Sequence, residues 1–281
     1  MNIVRIRDCI IGGSKLCVIA GPCVLESQDL ALEVAETMHS LTQKYKMSYI
    51  FKGSFDKANR SSIHSYRGPG LDKGLRILES VKNKIGVPVL TDVHCVTQVK
   101  SVSEVVDVIQ IPAFLCRQTD LLVSAAKSKK AVNVKKGQFM SPWEADNIIE
   151  KLTSSGCKKI LITERGTSFG YNNLVVDFRS LPIMRKYGWP VVFDGTHSVQ
   201  QPGALGKSSG GQKEFVPYLC RAAISVGCDA IFLEVHPEPR NALSDGPNMV
   251  ALSSMRFLLD QLSKIWNTVI KIRDRDEDKF Q

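Results

Sequence analysis

Eight short runs of β-branched and apolar residues recur along the chain, and helical patterns separate most of them. The runs occupy residues 16–20, 49–52, 87–91, 106–110, 131–135, 159–163, 191–194 and 230–234. Most are continuously apolar rather than alternating, which is typical of parallel strands covered on both faces. Eight β-then-α units in about 250 residues predict an α/β fold, a (β/α)8 TIM barrel. Periodicity alone leaves one alternative, an open doubly wound sheet with an extra layer.

The clearest helical segments share an amphipathic spacing and cover residues 27–46, 72–84, 119–128, 142–155, 212–226 and 251–272. Ser27 is predicted to cap the first of them. The segments after the third and sixth runs have weaker helical patterns. Residues 1–14 precede the first unit and predict a small hairpin across the barrel floor. We therefore expect one domain over residues 1–281, with a flexible tail at 273–281.

Charge and apolar content exclude several classes of protein. The chain has 37 Lys+Arg against 28 Asp+Glu, a net charge of +9, but no continuous basic stripe with interleaved aromatic residues. A nucleic-acid-binding module is therefore not expected, whereas small anionic substrates are compatible with the charge. The longest uncharged apolar-rich run, residues 16–25, is half of the roughly 20 residues that a membrane span needs. Charged residues also interrupt any secretory signal, which predicts a cytoplasmic protein.

The eight cysteines form no Cys-x-x-Cys pair. A zinc ribbon and a thioredoxin-like redox site are therefore not expected. Without a secretory signal we expect reduced thiols, most of them buried as small apolar side chains.

Every predicted strand ends on or near a polar or ionisable residue. Since a barrel gathers its active site at the carboxyl ends of its strands, these side chains are expected to converge. Six of them are cations: Lys52, Lys57, Arg60, Arg117, Lys135 and Arg165. Arg binds phosphate or carboxylate through two parallel hydrogen bonds, and Lys acts as a point charge. The set predicts a ligand with several anionic groups, such as two phosphates and a carboxylate. The alternative is structural pairing with Asp56, Asp92 and Glu164.

A second set of residues at the strand ends has the chemistry of metal ligands. It comprises Cys23, His197, Glu234 and Asp245. Thiolate, imidazole and carboxylate together are typical ligands of transition metals. Their sequence separation is long, so a packed thiol and a structural histidine are the alternatives. A barrel would bring the first, seventh and eighth strands together.

Several segments resemble one enzyme family, the 3-deoxy-D-manno-octulosonate 8-phosphate synthases. They are residues 52–62, 65–71, 91–94, 110–114, 117–120, 133–136, 164–166, 169–174, 194–197, 209–211 and 234–237. The resemblance spans about residues 16–265. It implies a (β/α)8 barrel that condenses phosphoenolpyruvate with D-arabinose 5-phosphate. The products would be 3-deoxy-D-manno-octulosonate (Kdo) 8-phosphate and phosphate, in the biosynthesis of the Kdo sugar of lipopolysaccharide.

The alternative enzyme family is the related seven-carbon synthases, which use erythrose 4-phosphate. They typically carry Lys-Pro-Arg-Thr where this chain has Lys-Ala-Asn-Arg at residues 57–60. That difference favours the arabinose substrate.

The resemblance also implies roles for individual residues. Phosphoenolpyruvate would be held by Lys52, Lys57, Gln110, Lys135 and Arg165. The sugar phosphate would be held by Asn59, Arg60 and Ser61, with Arg117 contributed by a neighbouring subunit of a homotetramer. The catalytic group would comprise Lys52, Lys57, Asp92 and His197.

Cys23 distinguishes two branches of that family. A metal-independent branch has Asn at this position, and a metal-dependent branch has Cys beside Gly-Pro, as here. Residues 197–203 and the Ser244–Asp245 pair also resemble the metal-dependent branch. The resemblance therefore implies Fe²⁺ or Zn²⁺, with Co²⁺ or Mn²⁺ able to substitute, bound by Cys23, His197, Glu234 and Asp245. His197 could be a ligand or a proton shuttle. The glycine-rich residues 206–211 have the composition of a closing lid.

Overall fold

The computed structural model describes residues 1–60, 62–203 and 210–276. Its strands, in chain order, are β1 (Val4–Ile6), β2 (Cys9–Ile11), β3 (Cys17–Gly21), β4 (Ser48–Lys52), β5 (Val89–Asp92), β6 (Val108–Ile111), β7 (Ala131–Lys135), β8 (Ile160–Glu164), β9 (Thr167–Ser168), β10 (Leu174–Val175), β11 (Val191–Asp194), β12 (Gln200–Gln201), β13 (Gly210–Gly211), β14 (Ala230–His236) and β15 (Val250–Ala251). The helices are α1 (Gln28–Lys44), α2 (Leu71–Ile85), α3 (Val96–Val105), α4 (Thr119–Lys127), α5 (Ala145–Ser154), α6 (Ser180–Arg185), α7 (Val216–Val226) and α8 (Met255–Asp276).

Parallel strands close into a barrel in the order β3, β4, β5, β6, β7, β8, β11 and β14. Strand β14 pairs with both β3 and β11, so the sheet has no free edge between its first and last strands. A helix follows each barrel strand. The (β/α)8 prediction is therefore confirmed, and the open doubly wound sheet is excluded.

Element boundaries agree with the predictions to within a few residues. Strands β7 and β11 have the predicted bounds. Strand β5 begins later than predicted, at Val89, and Pro88 before it has no N–H to donate to the sheet. The two weak helical patterns form α3 and α6. Helix α8 continues to Asp276, so the first residues of the predicted tail are helical. Residues 277–281 lie outside the described part of the chain.

The inward-facing side chains of the barrel form two layers, because alternate residues of a strand face the same side. The lower layer is an apolar cluster of Cys17, Ile19, Ile50, Leu90, Val108, Ala131, Leu161, Val192, Ala230 and Phe232. The upper layer, further along the same strands, contains Lys52, Asp92, Gln110, Asn133, Lys135, Thr163, Asp194 and Glu234, all buried.

The N-terminal hairpin closes the lower end of the barrel. Strands β1 and β2 pair antiparallel, and Val4, Ile6, Cys9 and Ile11 pack into the lower layer. This confirms the predicted hairpin across the floor.

The outward faces of the strands pack against the helices. Val18 and Phe51 belong to one continuous core with Ala31 and Met38 of α1. Ser27 caps α1 as predicted, since its side chain accepts a hydrogen bond from the Leu30 N–H at 3.1 Å.

All eight cysteines carry free thiols, and seven of them are buried. None of the helices in the described ranges combines the length and apolar character needed to cross a membrane.

Candidate active site

A cavity of about 510 Å³ opens above the upper layer, at the carboxyl ends of the barrel strands. Among the residues lining it are eleven of the predicted site residues: Lys52, Lys57, Asn59, Arg60, Asp92, Gln110, Lys135, Arg165, His197, Glu234 and Asp245. Barrel closure thus brings together residues that are up to 193 positions apart in sequence, as between Lys52 and Asp245.

Lys135 and Arg165 form the cationic side of the cavity beside β11. The Lys135 ammonium lies 3.3 Å from the centroid of the Phe232 ring and donates a hydrogen bond to Asp194. Burial lowers the pKa of Lys135 to about 8, although the Asp194 carboxylate opposes the shift. Arg165 donates to the His197 carbonyl oxygen at 3.3 Å and to the Gln200 side chain at 3.0 Å. Both cations are thereby held in place by protein groups while facing the cavity.

Lys52 and Lys57 meet on one carboxylate oxygen of Glu234. The Lys52 ammonium lies 2.7 Å and the Lys57 ammonium 3.5 Å from Glu234 Oε1. Burial by itself raises the pKa of Glu234, but these two lysines bring it well below its ordinary value. Glu234 is therefore ionised, and its charge offsets part of the cost of burying the lysines.

Cys23, Glu234 and Asp245 form a compact group of potential metal ligands. One ligand atom of each lies within 4.8 Å of the others, and the Cys23 Sγ is 3.1 Å from an Asp245 carboxylate oxygen. Gly21 lets this group assemble, because a Cβ there would lie 1.9 Å from the Lys52 carbonyl oxygen. Only glycine allows β3 to approach β4 so closely just before Cys23.

His197, the fourth predicted ligand, is not part of this compact group but lies next to its Glu234. Its Nε2 lies 3.7 Å from Glu234 Oε2, a buried oxygen with no hydrogen-bond partner among the described residues. Its Nδ1 lies 2.8 Å from an Asp194 carboxylate oxygen. This carboxylate–histidine arrangement is typical of metal sites, where the carboxylate orients the ring and directs the other nitrogen at the ion.

The donor set fits a divalent transition metal. Glu234 Oε2 is buried without a hydrogen-bond partner among the described residues and lies 3.7 Å from the His197 imidazole, and an ion would satisfy it. Burial, and next the Glu234 charge, raises the pKa of the Cys23 thiol well above its ordinary value. The thiol alone is thus neutral, and a cation would convert it to the thiolate ligand.

Arg60 lies against the loop that carries Asp245. Its guanidinium hydrogen-bonds to the Ser244 hydroxyl and lies 3.6 Å from Asp245 Oδ2. The Ser244 hydroxyl also lies 2.9 Å from the Cys23 Sγ. The predicted sugar-phosphate cation therefore adjoins the predicted metal ligands.

Two predicted site residues of the described structure, Cys23 and Arg117, do not line the cavity, although Cys23 contacts Asp245, which does. Arg117 is 66% exposed, does not line the cavity and has one ion-pair contact, at 4.0 Å from Glu144. Ser61 lies outside the described residues. So do residues 206–209 of the predicted lid, whose last two residues form β13.

Asp194 and Ser244 contact predicted site residues but were missing from the predicted set. Asp194 joins Lys135 to His197, and Ser244 joins Arg60 to Cys23. Asp194 ends a predicted strand three residues before His197, which is a signal available in the sequence. The Ser244–Asp245 pair resembles the metal-dependent branch, but that resemblance gave the serine no role of its own.

Comparison with known proteins identifies the family. The model of the DAHP synthetase I family matches residues 2–269, and the chain belongs to that family. Three bacterial relatives bear the name 2-dehydro-3-deoxyphosphooctonate aldolase. The Cyanothece sp. protein is 60% identical over 259 residues, which is 92% of this chain and 95% of the relative. The Trichlorobacter lovleyi protein is 57% identical over 254 residues (90% and 93%), and the Geobacter sulfurreducens protein is 56% identical over 256 residues (91% and 94%).

Proposed function

We propose that this chain condenses phosphoenolpyruvate with D-arabinose 5-phosphate and water, giving 3-deoxy-D-manno-octulosonate 8-phosphate and inorganic phosphate. The observation that carries the proposal is the cavity lined by Lys52, Lys57, Arg60, Lys135 and Arg165, which suits a ligand pair with two phosphates and a carboxylate. The relatives are named for an eight-carbon phosphooctonate, which supports this reading over the seven-carbon synthase. The product is a precursor of the Kdo sugar of lipopolysaccharide.

The proposed reaction makes one carbon–carbon bond, makes one carbon–oxygen bond to water, and breaks the carbon–oxygen bond to phosphate. C3 of phosphoenolpyruvate attacks the sugar aldehyde, whose oxygen becomes an alkoxide and takes a proton. Water adds at C2, where positive charge develops, and the resulting hemiketal phosphate loses phosphate by C–O cleavage. Fixed cations and ordered reactants lower the barrier because they are already in place when the charges develop.

Phosphoenolpyruvate binds in the cationic part of the upper layer. Lys135 and Arg165 hold its phosphate, since both are buried beside the cavity and each is fixed by β11 or the loop after it. Lys52, Lys57 and Gln110 complete its site. Burial strengthens these contacts because water screens them less.

The sugar phosphate binds at the rim. Asn59 and Arg60 line the cavity there, and Ser61 follows them in sequence. Arg117 completes the site of a neighbouring subunit in a homotetramer, which suits a guanidinium that is exposed at the protein surface.

Cys23, His197, Glu234 and Asp245 hold the divalent metal, Fe²⁺ or Zn²⁺, with Co²⁺ or Mn²⁺ able to substitute. When bound, such an ion neutralises negative charge on a nearby oxygen. Mixed sulfur, nitrogen and oxygen ligation does not single out one metal.

The catalytic group is Lys52, Lys57, Asp92 and His197. Asp194 orients the His197 ring, so that Nε2 faces the cavity side of Glu234. Asp92 is ionised and accepts hydrogen bonds on both carboxylate oxygens. The enzyme works in the cytoplasm, a compartment that keeps its eight thiols reduced.

The proposal is tested by phosphate release with each sugar. Arabinose 5-phosphate should be strongly preferred over erythrose 4-phosphate in kcat/KM, because buried groups that meet a hydroxyl are left unpaired by the shorter sugar. Asn59→Ala should lower the ratio of kcat/KM for arabinose 5-phosphate to that for erythrose 4-phosphate, since the Asn amide both donates to and accepts from hydroxyls. Equal efficiency with the two sugars in the unmodified protein would contradict the proposal and favour the seven-carbon synthase.

A further inference from the structure

A chain of buried hydrogen bonds crosses five neighbouring strand ends of the upper layer. The Thr163 hydroxyl lies 2.7 Å from Asn133 Oδ1, and the Asn133 amide nitrogen lies 2.8 Å from Gln110 Oε1. The Gln110 amide nitrogen lies 2.5 Å from Asp92 Oδ1, and Ser54 donates to the other oxygen of Asp92. Asn133 and Thr163 are fully buried and do not line the cavity, whereas Gln110 and Asp92 do.

The ionised Asp92 fixes the donor-to-acceptor direction of this series of hydrogen bonds. A carboxylate only accepts hydrogen bonds, so Gln110 must turn its amide nitrogen toward Asp92 and its oxygen toward Asn133. Asn133 must then offer its nitrogen to Gln110 and its oxygen to the Thr163 hydroxyl. Burial alone raises the pKa of Asp92, but Lys57 and other nearby cations bring it below the ordinary value, which agrees with an ionised group.

The same direction determines which atoms of the Gln110 amide remain available to bind a ligand. Its oxygen is engaged by Asn133, and one of its two N–H groups is engaged by Asp92. The second N–H has no protein acceptor in the part of the chain that the structure describes. Gln110 thus has one N–H group left to donate to an anion. Its oxygen, which would repel an anion, is already hydrogen-bonded to Asn133.

We propose that Asn133 and Thr163 are positioning residues for phosphoenolpyruvate binding, which act by holding the Gln110 amide in this one orientation. The inference rests on the proposed function, in which Gln110 contacts phosphoenolpyruvate. Neither residue lines the cavity in which the ligand would bind. Their effect passes through Gln110, and that distinguishes them from residues with a purely structural role.

The first test replaces Asn133 by the similarly sized Leu, which can neither donate nor accept. The Gln110 oxygen then loses its partner and the amide can rotate. KM for phosphoenolpyruvate should rise about tenfold to a hundredfold, the range for a lost hydrogen bond to a charged group. KM for the sugar phosphate and kcat should change much less. A variant with unchanged KM for phosphoenolpyruvate, or with both KM values raised equally, would overturn the positioning role.

A double-mutant cycle with Gln110→Ala tests the route of the effect. In the Gln110→Ala background, Asn133→Leu should add less than about a twofold further rise in KM, because the amide that it positions is gone. An undiminished rise in that background would show that Asn133 acts by another route and would overturn the proposal. Turnover of both substrates by the unmodified enzyme tests the proposed function separately.

Thr163 provides a matched pair of variants should Asn133→Leu fail to fold. Thr163→Ser retains the hydroxyl that donates to Asn133, and Thr163→Val replaces it with a methyl group of similar size. KM for phosphoenolpyruvate should rise several-fold in the Val variant and return to near the original value in the Ser variant. Equal KM values for the two variants, measured at equal thermal stability, would overturn the inference.

Discussion

The lower and upper layers of the barrel interior come from the same strands but have opposite chemistry. Strand β4 places Ile50 in the lower layer and Lys52 in the upper one, and β14 places Ala230 below and Glu234 above. Both layers are buried. The lower layer gains free energy from removal of apolar surface from water, at roughly 25 cal/mol per Å². The upper layer incurs the cost of burying charges, which pairing reduces but does not remove.

This difference explains how the charged layer keeps its geometry. The upper layer rests on the lower one, and the Phe232 ring lies at the boundary, 3.3 Å from the Lys135 ammonium and 5.3 Å from the Lys52 ammonium. The rigid apolar layer below holds the strands in register, so that the charged groups above meet at fixed distances. Apolar packing and site chemistry are thus only two residues apart on β4, from Ile50 to Lys52, and on β14, from Phe232 to Glu234.

The largest expected effect concerns the proposed metal ligands, which include Glu234 of the upper layer. Chelation should abolish turnover, and added divalent metal should restore it, since Cys23, His197, Glu234 and Asp245 have the donors to bind an ion. Cys23→Ala should lose metal, as measured by metal content. Cys23→Asn is the matched variant and should retain some metal-independent turnover, because the metal-independent branch has Asn there. Full activity of the metal-stripped protein would contradict this prediction.

Substitutions two residues apart on β4 should separate the layers. Ile50→Ala should lower the free energy of unfolding by about 2–5 kcal/mol, since it leaves a cavity in the lower layer, and Ile50→Val by about 0.5–1.5 kcal/mol. Neither should change KM in the folded protein. Lys52→Met should instead act mainly on kcat/KM, because Lys52 lines the cavity. Its effect on the free energy of unfolding should be the smaller of the two. Denaturant unfolding measures the free energy of unfolding, and steady-state kinetics measures kcat/KM. Impaired kinetics in the Ile50 variants, with mainly a loss of stability in Lys52→Met, would contradict the difference between the layers.

In the cavity above the upper layer, Arg165 and Arg60 should act on different substrates. Arg165→Ala should impair the use of phosphoenolpyruvate, and Arg60→Ala should impair the use of the sugar phosphate. Each loss should be roughly 10–150-fold in kcat/KM, corresponding to about 1.5–3 kcal/mol for a charge-assisted contact. Titration of each substrate at saturation with the other measures the effect. Impairment of the same substrate by both variants would show that the cations are divided incorrectly.

The smallest expected effect is a pH dependence from Lys135. Its pKa of about 8 means that the ammonium is charged below pH 8 and neutral above it. In the free enzyme, kcat/KM for phosphoenolpyruvate should therefore fall as the pH rises through about 8, by up to about tenfold for one lost charge contact. Lys135→Arg should remove this step, because a guanidinium stays charged. Persistence of the step in that variant would assign it to another group.

Much of the site could be predicted from the sequence because a barrel has a simple rule for placing it. Strand ends such as Lys52, Asp92 and Glu234 follow apolar runs, and the fold directs all such ends to one cavity. Arg117 shows the limit of that rule. It follows a strand end as the others do, yet its side chain is 66% exposed and does not line the cavity.

The sequence by itself indicated eight β-then-α units, the floor hairpin and the polar residues at the strand ends, because the periodicity of each segment is a local property of the chain. Only the tertiary structure decided which groups pair. Lys52 and Lys57 share one oxygen of Glu234, Asp194 joins Lys135 to His197, and the Gln110 amide has one direction. These contacts link positions as far apart as 182 residues. Their physical basis is closure of the ring between β14 and its neighbours β3 and β11, which no local pattern encodes.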